Sequence, residues 1–236
     1  MRSVLFSQSF PDSPVRRKVV IVLLDRRKPL GSHNILPKCS PDGKFLEARF
    51  SRELMESLVP TMQSYGFNTL VDYPNLAPDG INIKAYPNDW EAQQRAELNF
   101  RVKKVNEICK IYGKDNVIYV SLHNNASGNG QWMKARGWEV YTSPGKTKSD
   151  ILATCMWNAA KNYLGDLTTI RSDWSDGDPD KEAKFFVLTK TKCPAVLVEN
   201  LFMDNQEDLK LLTGDIGWML VERTIIEGIL NYWLKV

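Results

Sequence analysis

Val117-Ile-Tyr-Val-Ser-Leu-His-Asn-Asn-Ala126 is a short apolar run that ends abruptly in polar side chains. A near-continuous run of β-branched, aromatic and aliphatic residues of this length is typical of a strand buried on both faces of a sheet. The run stops at His123, one of only 2 histidines in the chain. In open α/β sheets, ligands bind at the carboxyl ends of strands, so His123 is a candidate for chemistry. A lone histidine there is more often a hydrogen-bonded structural residue, so other segments have to decide its role.

The composition is that of an ordinary globular protein. At 236 residues the chain is long enough for one large α/β domain with a full core. The net charge of +3 is small and no basic run is interleaved with aromatic residues, so we expect no nucleic-acid partner. The 4 cysteines form no CxxC pair, which argues against a zinc knuckle and a disulfide framework.

The N-terminal segment differs in character from the rest of the chain. Residues 1–17 lack the apolar core of a secretory signal, and we expect them to form a flexible arm preceding a folded domain at 18–236. The apolar run Val19 to Leu24 is far shorter than the ~20 residues that span a bilayer. We therefore expect no membrane insertion, and synthesis in the cytoplasm without a recognisable signal peptide.

Strand and helix patterns alternate along the chain. Strands are predicted over about 18–25, 67–71, 117–122, 137–143, 185–188 and 193–205, and helices over about 45–65, 88–112, 149–163, 205–212 and 214–234. An acidic stretch at 172–180 reads as a solvated loop. This alternation predicts a single three-layer α/β domain, in which a mixed, mostly parallel sheet is flanked by helices on both faces.

Four metal-capable or acidic side chains fall at polar ends of these elements: His33, Glu47, His123 and Glu199. Two imidazoles and one carboxylate are the ligand set of a catalytic zinc with a fourth position open, and a further carboxylate can serve as general base. No HExxH helix is present, so such a site has to be assembled from distant segments. For Glu47 the simpler interpretation is a favourable interaction with the dipole of its helix.

Four segments carry a resemblance to a known family: Ser40-Pro-Asp-Gly-Lys-Phe-Leu-Glu47, Val120-Ser-Leu-His-Asn-Asn-Ala126, Arg136-Gly-Trp-Glu-Val-Tyr-Thr-Ser143 and Pro194-Ala-Val-Leu-Val-Glu-Asn-Leu-Phe-Met-Asp-Asn205. Their order resembles that of the zinc-dependent N-acetylmuramoyl-L-alanine amidases of the amidase-3 type. The match runs from about Val19 to the C-terminus, and it most resembles single-domain amidases of Bacteroides-type bacteria and their phages.

The resemblance implies a peptidoglycan substrate, cut between the muramic acid lactyl group and the first L-alanine of the stem peptide. It implies Zn²⁺ held by His33, Glu47 and His123, with Glu199 as the catalytic glutamate. Asn125 and Asn200 are further candidates for hydrogen bonds to substrate, although polarity at a strand end also explains them. We expect a monomer acting at the cell wall after release or export, as a phage endolysin would.

One motif departs from the family pattern. The first strand of the family ends in an Asp-x-Gly-His-Gly motif, whereas this chain reads Asp25-Arg-Arg-Lys-Pro-Leu-Gly-Ser-His-Asn34, with Lys28 at the histidine position. His33, five residues later, is the only histidine left for that role. The alternative is an exposed His33 and a degraded site.

Two other functions stay open at this point. A non-catalytic peptidoglycan-binding or regulatory protein would keep the fold without a working metal site, and Lys28 is its main support. A zinc peptidase or carboxypeptidase would share the metal chemistry but cut peptide bonds, and the motif around Glu199 favours the amidase over it.

Overall fold

A computed structural model describes residues 20–23, 38–71 and 89–236. The strands in these ranges are β1 (Val20–Leu23), β2 (Asn68–Val71), β3 (Val117–Asn125), β4 (Glu139–Thr142), β5 (Lys181–Glu182) and β6 (Ala195–Phe202). The α-helices are α1 (Glu47–Ser64), α2 (Trp90–Tyr112), α3 (Lys148–Leu164), α4 (Phe186–Lys190), α5 (Gln206–Thr213) and α6 (Asp215–Lys235). A short 3-10 helix, Lys114–Asn116, leads into β3.

The six strands form one sheet in the order β2-β1-β3-β6-β4-β5. Strands β2, β1, β3 and β6 run parallel to one another, β4 is antiparallel to β6, and β5 is parallel to β4. The predicted single α/β domain with a mixed, mostly parallel sheet is confirmed.

The central strands are buried on both faces because their apolar residues are divided between two cores. Ile118, Val120 and Leu122 of β3 pack into the larger core, with apolar residues of α1, α3 and α6. Val117 and Tyr119 point the other way, into a smaller core with residues of α2 and α4. Alternate residues of a strand face opposite sides, so a continuous apolar run is what a strand between two helical layers requires.

The prediction of a strand over 185–188 is wrong, because the chain there forms helix α4. Val187 and Leu188 are buried in the smaller core. A four-residue apolar run satisfies a buried strand and one turn of a buried helix equally well, so its packing partners decide between them. The two-residue strand β5, too short to leave a pattern, was not predicted.

The acidic stretch is less solvated than expected. Asp180 immediately precedes β5 and is 3% exposed, and its Oδ2 accepts a hydrogen bond of 2.6 Å from Thr142 Oγ1. Burial and the neighbouring Asp178 raise the pKa of Asp180 to about 8. Residues 173–177 are exposed, as predicted for a solvated loop, but Asp180 is not, because the edge strand β5 holds it against β4.

Asp208 in the first turn of α5 ties three segments together. Its fully buried carboxylate accepts hydrogen bonds from the backbone N–H of Gly137 at 2.6 Å and of Phe202 at 3.0 Å, and from Thr168 Oγ1 at 2.8 Å. Arg136 Nε lies 3.3 Å from its Oδ1. The end of β6 and the approach to β4 are therefore held by one buried charge.

We expect Asp208→Ala to lower the free energy of unfolding by about 3–5 kcal/mol, because removing one partner of a buried charged network leaves the others unpaired. In a domain of this size that corresponds to a melting temperature lower by roughly 6–20 °C. The neighbouring Glu207→Ala is the matched control, since Glu207 is exposed and its ion pair with Lys210 lies on the surface. Thermal melts that coincide for the two variants would contradict this structural role.

Candidate active site

The polar end of β3 meets the start of α1. His123 Nδ1 lies 2.8 Å from Glu47 Oε1, and the backbone N–H of Asn124 donates to the same oxygen at 3.4 Å. Glu47 is the first residue of α1 and is 2% exposed, although it carries a carboxylate. Two of the residues predicted to share a site, from segments 76 positions apart, are thus in contact.

Lys38 adds a positive charge on the open side of this pair. Its Nζ lies 3.8 Å from Glu47 Oε2, and its side chain is 43% exposed, against 3% for that of Glu47. The ammonium compensates part of the charge of a carboxylate that burial would otherwise destabilise. Because the Lys38 side chain is largely exposed, it can leave the carboxylate without disturbing the core.

Glu199 lies directly beside His123, as its partner in the parallel pairing of β3 with β6. Its pKa is raised to about 7, chiefly by burial. The positive charges of His123 and Lys38 oppose this rise, and the negative charges of Glu47 and Glu139 add to it. The buried Oε2 of Glu199 has no hydrogen-bond partner among the described residues. A carboxyl group with such a pKa can both accept and return a proton near neutral pH.

Glu139 in β4 is the antiparallel partner of Glu199. His123, Glu199 and Glu139 therefore form a row of side chains across the adjacent strands β3, β6 and β4. The Glu139 carboxylate accepts hydrogen bonds from Asn125 Nδ2 at 2.6 Å, Tyr141 OH at 2.8 Å and Arg171 Nε at 2.6 Å, and from Lys181 Nζ. Burial opposes its ionisation, but the bonds from Lys181, Tyr141 and Arg171 and the charge of Lys181 hold its pKa below its ordinary value. Glu139 is therefore an ionised buried carboxylate.

Comparison of the sequence with models of known protein families identifies the family of this chain. A family model described as Amidase_3, N-acetylmuramoyl-L-alanine amidase, matches residues 37–231. The chain belongs to this family. It is thus an amidase of peptidoglycan, which hydrolyses the bond between N-acetylmuramic acid and L-alanine. No functionally curated protein sequence matches it.

Solved structures with the same fold cover nearly the whole amidase. The CwlD amidase from Clostridioides difficile, solved in complex with the GerS lipoprotein, has a TM-score of 0.66 and 20% identity over 93% of this chain and 100% of that one. The amidase Ami1 from Mycobacterium smegmatis gives 0.69 and 15%, over 92% and 98%. The catalytic domain of the CD27L endolysin targeting Clostridia difficile gives 0.58 and 21%, over 90% and 97%. At these identities the likeness establishes the fold.

An irregularity at the end of β6 shapes the active face of the amidase. The pairing of β3 with β6 shifts register between His123 and Asn125, and Leu201 adopts a φ of 65°, the one positive value among the described non-glycine residues. For a leucine this left-handed conformation costs about 1–2 kcal/mol. Bulges of this kind re-aim side chains at the rim of a sheet, and this one brings Phe202 opposite Asn125.

The two asparagine candidates occupy different places. Asn125 is partly exposed and donates to Glu139, at the rim of the row. Asn200 is 0% exposed, donates from Nδ2 to His123 O at 3.3 Å and accepts from Trp138 Nε1 at 3.2 Å. These bonds satisfy the Asn200 side-chain amide within the protein and connect β6 to the end of β3 and the start of β4. The geometry of Asn200 is therefore that of a structural residue behind the site.

The remaining candidate ligand, His33, lies outside the described residues, as does Lys28. Within the ranges that are described, no three His, Cys, Asp or Glu side chains form a group that could hold a metal. Glu47 and His123 thus supply two candidate ligands. A third ligand would have to come from another segment, such as the one that carries His33.

Glu139, Arg171 and Lys181 are site-region residues that the sequence reasoning missed. Glu139 carries the one usable signal, an acidic residue inside the alternating run that forms β4. Arg171 and Lys181 lie in loop and edge segments without a pattern, so only the tertiary structure brings them to Glu139.

No helix in the described part of the chain is long and apolar enough to cross a membrane.

Proposed function

We propose that the chain cleaves the N-acetylmuramoyl-L-alanine bond as a zinc-dependent enzyme, with His33, Glu47 and His123 as metal ligands and Glu199 as general base. The observation that carries the proposal is the contact between Glu47 and His123 beside Glu199, whose Oε2 is buried. This arrangement supplies one imidazole, one carboxylate and a separate proton acceptor at one edge of the sheet.

The donors present fit a zinc ion. An imidazole nitrogen and a carboxylate oxygen 2.8 Å apart can both turn toward one cation, and both are common zinc ligands. A divalent ion at Glu47 would repel the Lys38 ammonium, which is exposed enough to withdraw. Zinc, when bound, supplies a Lewis acid that polarises the scissile carbonyl and makes a water molecule more acidic.

Glu199 performs the proton transfers in this proposal. With a pKa of about 7, its carboxylate takes a proton from the attacking water as the water oxygen forms a bond to the carbonyl carbon of the amide. The same carboxyl group then returns this proton to the nitrogen of L-alanine as the C–N bond breaks and the peptide leaves. Burial favours the neutral form of Glu199 between the two transfers, because it penalises the charged one.

The proposal also covers where the catalytic domain begins and where the enzyme acts. Strand β1, at residues 20–23, is hydrogen-bonded on both sides within the sheet, which supports a catalytic domain that begins near residue 18 rather than at the family match. We propose a monomer that acts on the cell wall. The segment 1–17, expected to be a flexible arm, lies outside the described residues.

The test is digestion of purified peptidoglycan by the zinc-loaded protein, followed by mass spectrometry of the released fragments. We expect free stem peptides that begin with L-alanine, a loss of release in His33→Ala, and little change in the control Lys28→Ala. Fragments cut inside the stem would support the peptidase alternative, and no release at all would support the non-catalytic one. Full activity of His33→Ala would remove that residue from the ligand set.

A further inference from the structure

We propose that Arg171 and Lys181, held in place by Glu139, form a subsite that binds a carboxylate of the stem peptide. This inference rests on the proposed function, because it assigns the peptide half of the substrate to one side of the same row of side chains.

The position of the subsite follows from strand pairing. Glu139 and Glu199 are opposite each other on antiparallel strands, and Glu199 is in turn opposite His123. Cross-strand partners have side chains on the same face of a sheet. The row therefore runs from Glu47 and His123, through Glu199, to Glu139 with its two cations.

The charges in this cluster do not balance. Glu139 is 2% exposed and carries one negative charge, whereas Arg171 and Lys181 together carry two positive charges. One cation would neutralise the Glu139 carboxylate, so the second leaves a positive charge beside it. Two further carboxylates act on this pair from outside it: Glu199 on the adjacent strand, whose burial favours its neutral form, and the exposed Asp173, which interacts with Lys181. The side chains of Arg171 and Lys181 are 36% and 24% exposed, so an anion can reach that positive charge from the solvent side.

Both cations are oriented before any ligand arrives. The Arg171 guanidinium lies 5.3 Å from the ring centre of Phe202, and its Nε is bound to Glu139 at 2.6 Å. Lys181 Nζ lies 5.7 Å from the ring centre of Tyr141. Arg171 Nη1 reaches the carbonyl oxygen of Arg136 only at 3.5 Å, and Nη2 has no acceptor in the described part of the chain. A fixed guanidinium with free donors suits a planar carboxylate.

The chemistry of the substrate indicates which of its halves, the muramic acid or the stem peptide, lies at Arg171 and Lys181. The lactyl carboxyl of muramic acid is taken up in the scissile amide, so the free carboxylates of the uncleaved substrate, including the C-terminal one, lie in its peptide half. If the carbonyl oxygen lies toward Glu47 and His123, the leaving nitrogen lies near Glu199 and the peptide continues toward Glu139. A surplus positive charge at that point complements the peptide product.

The test measures binding of a synthetic stem peptide beginning with L-alanine, with its carboxylates either free or converted to carboxamides, to the whole protein by calorimetry. A charge-assisted contact predicts about 10-fold or more tighter binding of the free carboxylate form, and a smaller difference at high ionic strength. Lys181→Met and Arg171→Met should each reduce this preference, and Lys181→Arg should keep it. Lys184→Met, an exposed lysine nearby, is the matched control.

Equal affinity of the wild-type protein for the two peptides would overturn the subsite, as would a preference that both Met variants retain. The comparison of the two peptides uses the wild-type protein alone, so it is informative even if the variants fail to fold. It also requires no hydrolysis. A carboxylate preference without any cleavage of peptidoglycan would therefore count against the proposed catalytic function and not against the subsite.

Discussion

Glu199→Gln is expected to lower the rate of stem-peptide release from peptidoglycan by about 10²–10⁴-fold, the range over which a positioned acid or base contributes. The glutamine side chain keeps the size of Glu199 but cannot take a proton from water. Its geometry beside His123 is set by the pairing of β3 with β6 and does not depend on its charge. Release is measured by chromatography with the zinc-loaded enzyme, and substrate affinity should change far less than the rate.

The same substitution should stabilise the metal-free protein above neutral pH. Glu199 has a pKa of about 7 in the folded chain, above its ordinary value of 4.5, so its contribution to stability is fully present below about pH 4.5 and is lost as the pH rises through 7. At pH 8 the wild type carries a buried charge that the variant lacks. The difference is on the order of 3 kcal/mol, or roughly 6–12 °C in melting temperature.

Thermal melts of the metal-free proteins between pH 4.5 and pH 8 check this expectation, with Glu56→Gln, an exposed position on α1, as the control. The gap between variant and wild type should close toward pH 4.5. An inactive variant that gains stability at pH 8 identifies a residue kept for function at a cost in stability. A variant that keeps its activity would remove Glu199 from the proton transfers.

Glu47→Gln is expected to weaken zinc binding by at least about 100-fold, since losing a residue that only orients a metal ligand already costs about 10–100-fold. The amide that replaces the carboxylate has no negative charge for the cation, and it leaves His123 without its anionic partner at 2.8 Å. Activity at a fixed zinc concentration should fall in parallel and recover in part when zinc is raised.

Zinc affinity is measured by competition with a chromophoric chelator. Glu56→Gln again serves as the matched control, because it makes the same chemical change on the same helix but at an exposed position. We expect its zinc affinity to equal that of the wild type. An unchanged affinity in Glu47→Gln would show that the contact with His123 is a structural ion pair and that the metal, if bound, lies elsewhere.

The parts of the fold that could be predicted are those in which the local sequence pattern fits only one type of secondary structure. The apolar runs of β3 and β6 are too continuous for any place but the centre of a sheet covered on both faces. The periodic pattern of α1, closing on Gly66, places its helix within two residues of the observed limits. The run around Val187 failed because a few apolar residues fit a helical turn as well as a strand.

For the site, the sequence by itself determined which polar side chains interrupt the apolar runs of β3 and β6, since such an interruption is visible without a structure. His123 and Glu199 were found in this way, and Glu47 was found from the start of its helix. Only the tertiary structure decided that Glu47 touches His123, that Glu199 is buried enough to hold a pKa of about 7, and that Glu139 gathers Arg171 and Lys181. Contacts, burial and charge balance depend on residues far apart in the chain, and a local pattern carries no information about such distances.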